Sequence, residues 1–237
     1  MNIDDLISYV SKFQPDFPTR IQGAGAEDVA ELERLTGLSL PFTYKEYLLR
    51  LGRDDGGLDV GGGSTTKISA IVDYYTESME FDMQDIPPNC LVIAVSGGGT
   101  FELSLEYKSD TEYPVLLTSG DTIKGFFSES FEKLLFRHAF VKYRMRSLPS
   151  SAIYWGGSDE ESLRKALEVA LNLGFERKWF SDRVSFCGES HESAVVIERI
   201  LSRPVWMRIS AQQAAEVERL GDIFVKQSGM VFQQWWP

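Results

Sequence analysis

A chain of 237 residues with 43% apolar and 25% charged residues is long enough for one large or two small hydrophobic cores, and too apolar to be read as disordered. Its net charge of −11 and pI of about 4.8 argue against nucleic acid and anionic membranes as partners, since both need a face rich in Lys and Arg; a basic partner suits such a field. No apolar run approaches the roughly 20 residues that span a bilayer, and the acidic opening Met1-Asn2-Ile3-Asp4-Asp5 is unlike a secretory signal, so a cytoplasmic protein is expected. The two cysteines, Cys90 and Cys187, supply no disulfide framework and read as buried thiols.

Residues 2–13 place Ile3, Leu6, Ile7 and Val10 at helical spacing, with Asn2, Asp4 and Asp5 suited to the cap and first turn. A loop through Pro15 and Pro18 follows. Residues 26–36 predict a second helix with Val29, Leu32 and Leu35 on one face and Gly37 as its stop. Leu38-Ser39-Leu40 connects it to a third helix entered at Pro41, where a missing N–H costs nothing. There Tyr44, Tyr47, Leu48 and Leu51 share a face, and Gly52 marks the end. Residues 53–66 are a glycine-rich loop. Beyond it the pattern turns strand-like over 68–72, 91–95, 100–105 and 114–117, with Gly97-Gly98-Gly99 as a hairpin connection. Residues 128–140 return to helix on Phe131, Leu134 and Leu135.

The pattern restarts near Leu148-Pro149-Ser150-Ser151, which sets the expected domains at 1–147 and 148–237. Residues 152–155 read as a strand. Ser158 suits the cap of a helix whose inner face is Leu163, Ala166, Leu167, Ala170 and Leu171 and whose stop is Gly174. Short strands are expected near 176–180, 183–187 and 205–209; residues 193–201 fit helix or strand. Ser210 reads as the cap of a last helix carrying Ala214, Val217, Leu220 and Phe224. Alternating strands and helices suggest a small α/β sandwich of ferredoxin-like type. The closing Trp235-Trp236 pair is not expected to stay in water: it folds back on this domain, the favoured reading, or contacts another chain.

The segment Leu32-Glu33, then Leu40-Pro41, then Tyr44, Tyr47 and Gly52 resembles the SUKH superfamily, which includes fungal cell-wall assembly regulators and bacterial toxin-immunity proteins. Ser130-Phe131 at the entry of a closing helix also fits, and the resemblance covers residues 1–147. Leu51 stands where the family usually has Asn before the glycine. The resemblance implies an α+β fold, a curved antiparallel sheet packed by helices, joined here to the smaller C-terminal α/β sandwich domain. It also implies a non-catalytic protein-binding role, either as an immunity protein that neutralises a toxin, often a nuclease, or as a regulatory or scaffold module.

Catalytic chemistry finds little support in the residues. Cys187-Gly188-Glu189-Ser190-His191 brings a thiol and an imidazole together in sequence only. Two histidines and two distant cysteines give no zinc spacing, the loop at Asp54, Asp55 and Asp59 lacks the calcium-loop pattern, and neither glycine cluster is a phosphate loop. No cofactor and no metal are expected. An enzyme working through carboxylates of the 54–59 loop or the 73–85 segment is the remaining catalytic alternative.

Charge placement says more. No Lys or Arg lies between Lys67 and Lys108, whereas Asp73, Glu77, Glu80, Asp82 and Asp85 fall there beside Tyr74, Tyr75 and Phe81. Residues 148–237 hold 12 acids and 10 bases, which leaves nine of the eleven excess negative charges in the first domain. Charges that steer and aromatics that anchor make a protein-binding surface. The candidate partner-binding residues are therefore Asp54, Asp55, Asp59, Asp73, Tyr74, Tyr75, Glu77, Glu80, Asp82 and Asp85, and the expected partner is a cognate toxin or another basic protein.

Overall fold

The structure is a computed structural model, and it describes residues 2–80, 86–96, 101–109, 113–201 and 203–236, the side chain of Trp236 excepted. The chain divides into two compact units, Met1–Ala139 and Phe140–Pro237. Residues 140–147, grouped by sequence with the first domain, lie in the second.

The first unit opens with helix α1 (Ile3–Ser11), fixed at its start by a reciprocal cap in which the Asn2 side chain accepts from the Asp5 N–H and the Asp5 carboxylate from the Asn2 N–H. A short helix α2 (Phe17–Arg20) leads into the two-residue strand β1 (Ile21–Gln22), paired antiparallel with β2 (Asp54–Asp55). Between them run α3 (Ala26–Thr36) and α4 (Phe42–Leu51). The left-handed Gly37 stops α3, and Glu33 ties the connector: its carboxylate takes the Leu40 N–H at 3.2 Å and Lys45 Nζ at 3.1 Å. Lys45 and the Leu40 N–H both draw the Glu33 carboxyl below its usual range, Lys45 the more.

Tyr44 and Tyr47 are fully buried and stack at 6.4 Å, and the Phe131 ring meets both edge-on, at 5.3 and 5.1 Å. The Tyr47 hydroxyl pairs with Thr66 Oγ1 at 2.9 Å, whereas Tyr44 Oη is buried without a hydrogen-bond partner among the described residues. The backbone after β1 lies directly on α4. The Ala24 N–H donates to the Leu48 carbonyl at 2.8 Å, and a Cβ on Gly23 would stand 1.9 Å from the Leu49 carbonyl oxygen. Gly23→Ala must push this backbone off the helix, so a loss of about 2–3 kcal/mol is expected, read as a lowered urea midpoint.

Helix α5 (Ile68–Glu80) corrects the strand expected at 68–72. Ile68, Ile71, Tyr75 and Ser78 are its buried residues, a helical period, and the Ile68 N–H is held by the Gly52 carbonyl at 2.8 Å. The β-branched run in Ile68-Ser69-Ala70-Ile71-Val72 suggests a strand, but packing against α3 and the sheet decides. The sheet is an antiparallel meander of β3 (Cys90–Val95), β4 (Glu102–Glu106), β5 (Val115–Ser119) and β6 (Thr122–Ser128). Register shifts in the β3–β4 and β5–β6 pairs mark bulges, which bend and twist a sheet. Strand β6 was not expected from sequence, and the glycines assigned to the β3–β4 hairpin lie outside the described residues. Helix α6 (Phe131–Ala139) closes the unit, with Ser130 Oγ accepting the Lys133 N–H.

The second unit begins with a π-helical turn, Phe140–Arg144, and a 3-10 turn, Met145–Ser147. Its elements are β7 (Ser150–Trp155), α7 (Glu160–Asn172), β8 (Glu176–Arg177), β9 (Ser185–Glu189), β10 (Ser193–Glu198), β11 (Trp206–Ala211), α8 (Ala214–Ser228) and β12 (Val231–Trp236). The six strands lie in the order β12-β7-β11-β10-β9-β8, every neighbouring pair antiparallel. Within it β7-α7-β10-β11-α8-β12 has the ferredoxin-like order, with β8 and β9 added at one edge. Tyr154, Val195, Ile197, Met207 and Ile209 pack with Val169, Leu220 and Phe224 of the helices into one core.

Three local expectations change here. Asp159, not Ser158, caps α7, accepting the Ser162 N–H at 2.7 Å. Ser210 caps nothing: it sits inside β11 with its hydroxyl on Ser151 Oγ, and α8 starts at Gln213 without a side-chain cap. Of the strand expected at 176–180 only Glu176–Arg177 forms.

Candidate functional site

Helices α3 and α5 pack against each other and leave between their outer faces a groove of about 770 Å³. Glu27, Asp28 and Glu31 line it from α3, Asp73 from α5, and Arg53 and Lys67 from the loop that joins α4 to α5. Glu27 and Glu31 are one helical turn apart and so share a face. On α5, Asp73, Glu77 and Glu80 are all exposed at spacings of four and three, a single ridge beside the groove, and α5 carries no base.

These acids divide into two sets. Asp28 is committed: its Oδ2 accepts Arg53 Nη2 at 2.9 Å and the Gly25 N–H at 3.0 Å, and these contacts, Arg53 first, hold its carboxyl below the usual range. Glu31 takes both arms of the Arg34 fork at 2.7 and 2.8 Å, with the same effect on its carboxyl. Glu27, Asp73, Glu77 and Glu80 have no ion pair among the described residues. Residues 1–139 hold 23 acids and 11 bases, against 12 and 13 in residues 140–237, so the excess of negative charge belongs wholly to the first unit. Several of its bases, Lys45, Arg50 and Arg53 among them, are already paired within it. Arg34, Arg53 and Lys67 offset part of the charge of Glu27, Asp28, Glu31, Asp73, Glu77 and Glu80, and the groove with its α5 ridge keeps a net negative field.

The other sequence candidates are not all part of this surface. Tyr75 is buried and its hydroxyl accepts the Val92 N–H at 2.8 Å, which makes it a core residue rather than an anchor. Tyr74 is half-buried, its ring edge-on to Tyr75 at 5.8 Å. Asp54, Asp55 and Asp59 turn inward on their own loop. Asp54 accepts the Gly56 N–H, Asp55 those of Gly57, Leu58 and Asp59, and Asp59 that of Gly63. They shape the turn that buries Leu58 and Val60, in which Gly56 (φ +66°) passes so near Phe17 that a Cβ would stand 2.7 Å from its ring. Asp82, Asp85 and Phe81 lie outside the described residues.

Sequence reasoning missed Glu27 and Glu31. Their i, i+4 spacing was the available signal, but without α5 as a helix nothing set them opposite Asp73. The thiols show no activation: burial, and secondarily Glu106, raise Cys90 to about 11, while Cys187 is fully buried in β9 and His191 is exposed beyond that strand. Among the described residues no cluster of three His, Cys, Asp or Glu side chains is placed to hold a metal, and no helix is long and apolar enough to cross a membrane.

Residues 23–137 match the SMI1 / KNR4 family (SUKH-1). Searches of curated proteins and of solved structures gave no significant match. SUKH domains are generally non-catalytic immunity or regulatory units and often bind proteins. The match begins at the glycine pressed onto α4 and ends within α6, and the residues 23–137 that it spans form a domain of the SUKH superfamily.

Proposed function

We propose that this protein is a cytoplasmic immunity protein that binds a bacterial toxin domain and blocks it without catalysis. The observation that carries the reading is the groove between α3 and α5, where Glu27, Asp73, Glu77 and Glu80 form no ion pair among the described residues and outnumber Lys67, the lining base that likewise forms none. Such a face attracts a basic surface, for instance the cleft in which a nuclease holds phosphates, and occupying it excludes the substrate both sterically and by charge. Asp82 and Asp85, next in sequence, extend the acidic run.

The test is co-purification with the toxin domain encoded beside this chain, together with protection of cells that express the toxin. The triple substitution Asp73→Lys, Glu77→Lys, Glu80→Lys is expected to weaken binding roughly 10- to 100-fold at low salt, chiefly through the association rate, and to flatten its salt dependence. All three side chains are exposed, so the far-UV spectrum and melting temperature should hold. A chain that neither binds nor protects ends the reading. One that binds with the same affinity after the charge reversal moves the interface elsewhere.

A further inference from the structure

The six-stranded sheet of the second unit has two unlike edges. At one end β8 is two residues long and both are charged, Glu176 and Arg177, a common way of blunting an edge. At the other, β12 is six residues long, and Val231-Phe232-Gln233-Gln234-Trp235-Trp236 has neither a charge nor a proline. Its flanks are apolar on both faces. Val231 is 58% exposed and lies opposite Trp155, 40% exposed, on the face away from the helices. A bulge at Gln233 places Phe232 and Trp235, three apart in sequence, on the helix-side face, where their rings meet at 5.9 Å while staying 45% and 46% exposed.

We propose that this edge is the interface of a homodimer, in which β12 of one copy pairs antiparallel with β12 of a second across a two-fold axis. Three features favour a second copy as the occupant. An antiparallel edge is self-complementary under two-fold rotation, so one contact satisfies the free N–H and C=O groups of both strands. The second unit carries a net charge of only +1, and its edge strand none, so two copies meet there without the repulsion that the strongly acidic first unit would generate. Apolar area is also sufficient for a beginning. Each of Trp155, Phe232 and Trp235 leaves on the order of 100 Å² open, and six such rings from two copies cover roughly 600 Å², about half of what the smaller stable interfaces bury, before the paired backbones are counted. The inference does not rest on the immunity reading.

Sedimentation equilibrium of the full chain at micromolar concentration tests it. The expected mass is twice 26.7 kDa. Val231→Lys and Trp235→Lys, each of which puts a charge in place of an apolar side chain that the pairing would cover, should return the chain to its monomer mass, and the emission of Trp235 should change on dilution of the unaltered protein. Where Trp235→Lys fails to fold, Val231→Lys decides, because that side chain is the more exposed. A monomeric unaltered chain overturns the proposal, as does a dimer whose mass the folded Lys variants leave unchanged.

Discussion

Phe131→Ala is expected to destabilise the first unit by about 4 kcal/mol. The ring is 4% exposed and is the common neighbour of the two buried tyrosines of α4, so truncation leaves a hole between two helices that neither tyrosine can fill without leaving its stack. Edge-to-face contacts add to the loss of buried area, each worth about 1 kcal/mol. Urea denaturation followed by far-UV circular dichroism measures the effect. Phe131→Leu, which keeps the volume and loses the ring edges, should cost about 1–2 kcal/mol. A Phe131→Leu variant as stable as the unaltered chain would show that the aromatic geometry contributes nothing.

Above about pH 10 the fold is expected to lose stability steeply. Burial raises the phenols of Tyr44, Tyr47 and Tyr75 well above their ordinary value of 10. For Tyr47 the nearby Asp55 charge adds to this and the Thr66 hydrogen bond partly opposes it; for Tyr75 the Val92 N–H opposes it. Each group remains protonated in the folded chain where the unfolded chain has released its proton. The stabilisation is therefore complete below pH 10 and drains away as the pH climbs toward the folded value. Each group costs about 1.4 kcal/mol per pH unit in that window, so three cost about 4. Urea midpoints should be flat to about pH 9 and fall sharply beyond 10. Tyr44→Phe should lower that slope by about 1.4 kcal/mol per pH unit and leave neutral-pH stability nearly unchanged, because its Oη forms no hydrogen bond among the described residues. A slope that survives this substitution intact would assign the alkaline transition to other groups.

The helix–connector–helix segment was legible because its punctuation is chemical: Gly37 adopts the left-handed turn, Pro41 precedes α4, and Gly52 closes it. The pairing partner of Glu33 was not, since Lys45 lies twelve residues away across a turn. Helix α5 hid behind β-branched residues whose local preference is overruled by burial, and with it went the ridge of Asp73, Glu77 and Glu80. Strand β6 escaped because its outer residues, Thr122, Ile123 and Lys124, are exposed at a sheet edge and give no alternation. Ser210 misled because a hydroxyl just before a helical run looks the same whether it caps a helix or, as here, bonds across a sheet. The fold-back of the last residues was expected from their apolarity, but the strand partner of β12 and the bulge that aligns its aromatics depend on register, which composition does not encode.

Gly52 has a consequence for how this architecture can diversify. Its N–H ends α4 on the Leu48 carbonyl and its own carbonyl receives the first amide of α5, so everything from Arg53 to Lys67 departs from and returns to one residue. Within that excursion β2, Leu58, Val60 and Thr66 are tied into the core, so added chain is accommodated at the exposed Gly62-Gly63 tip, where ring-closure entropy rises only slowly with length, by roughly 0.6 kcal/mol per doubling. An insertion at that tip leaves Arg53 and Lys67, at the two ends of the excursion, in their places at the groove.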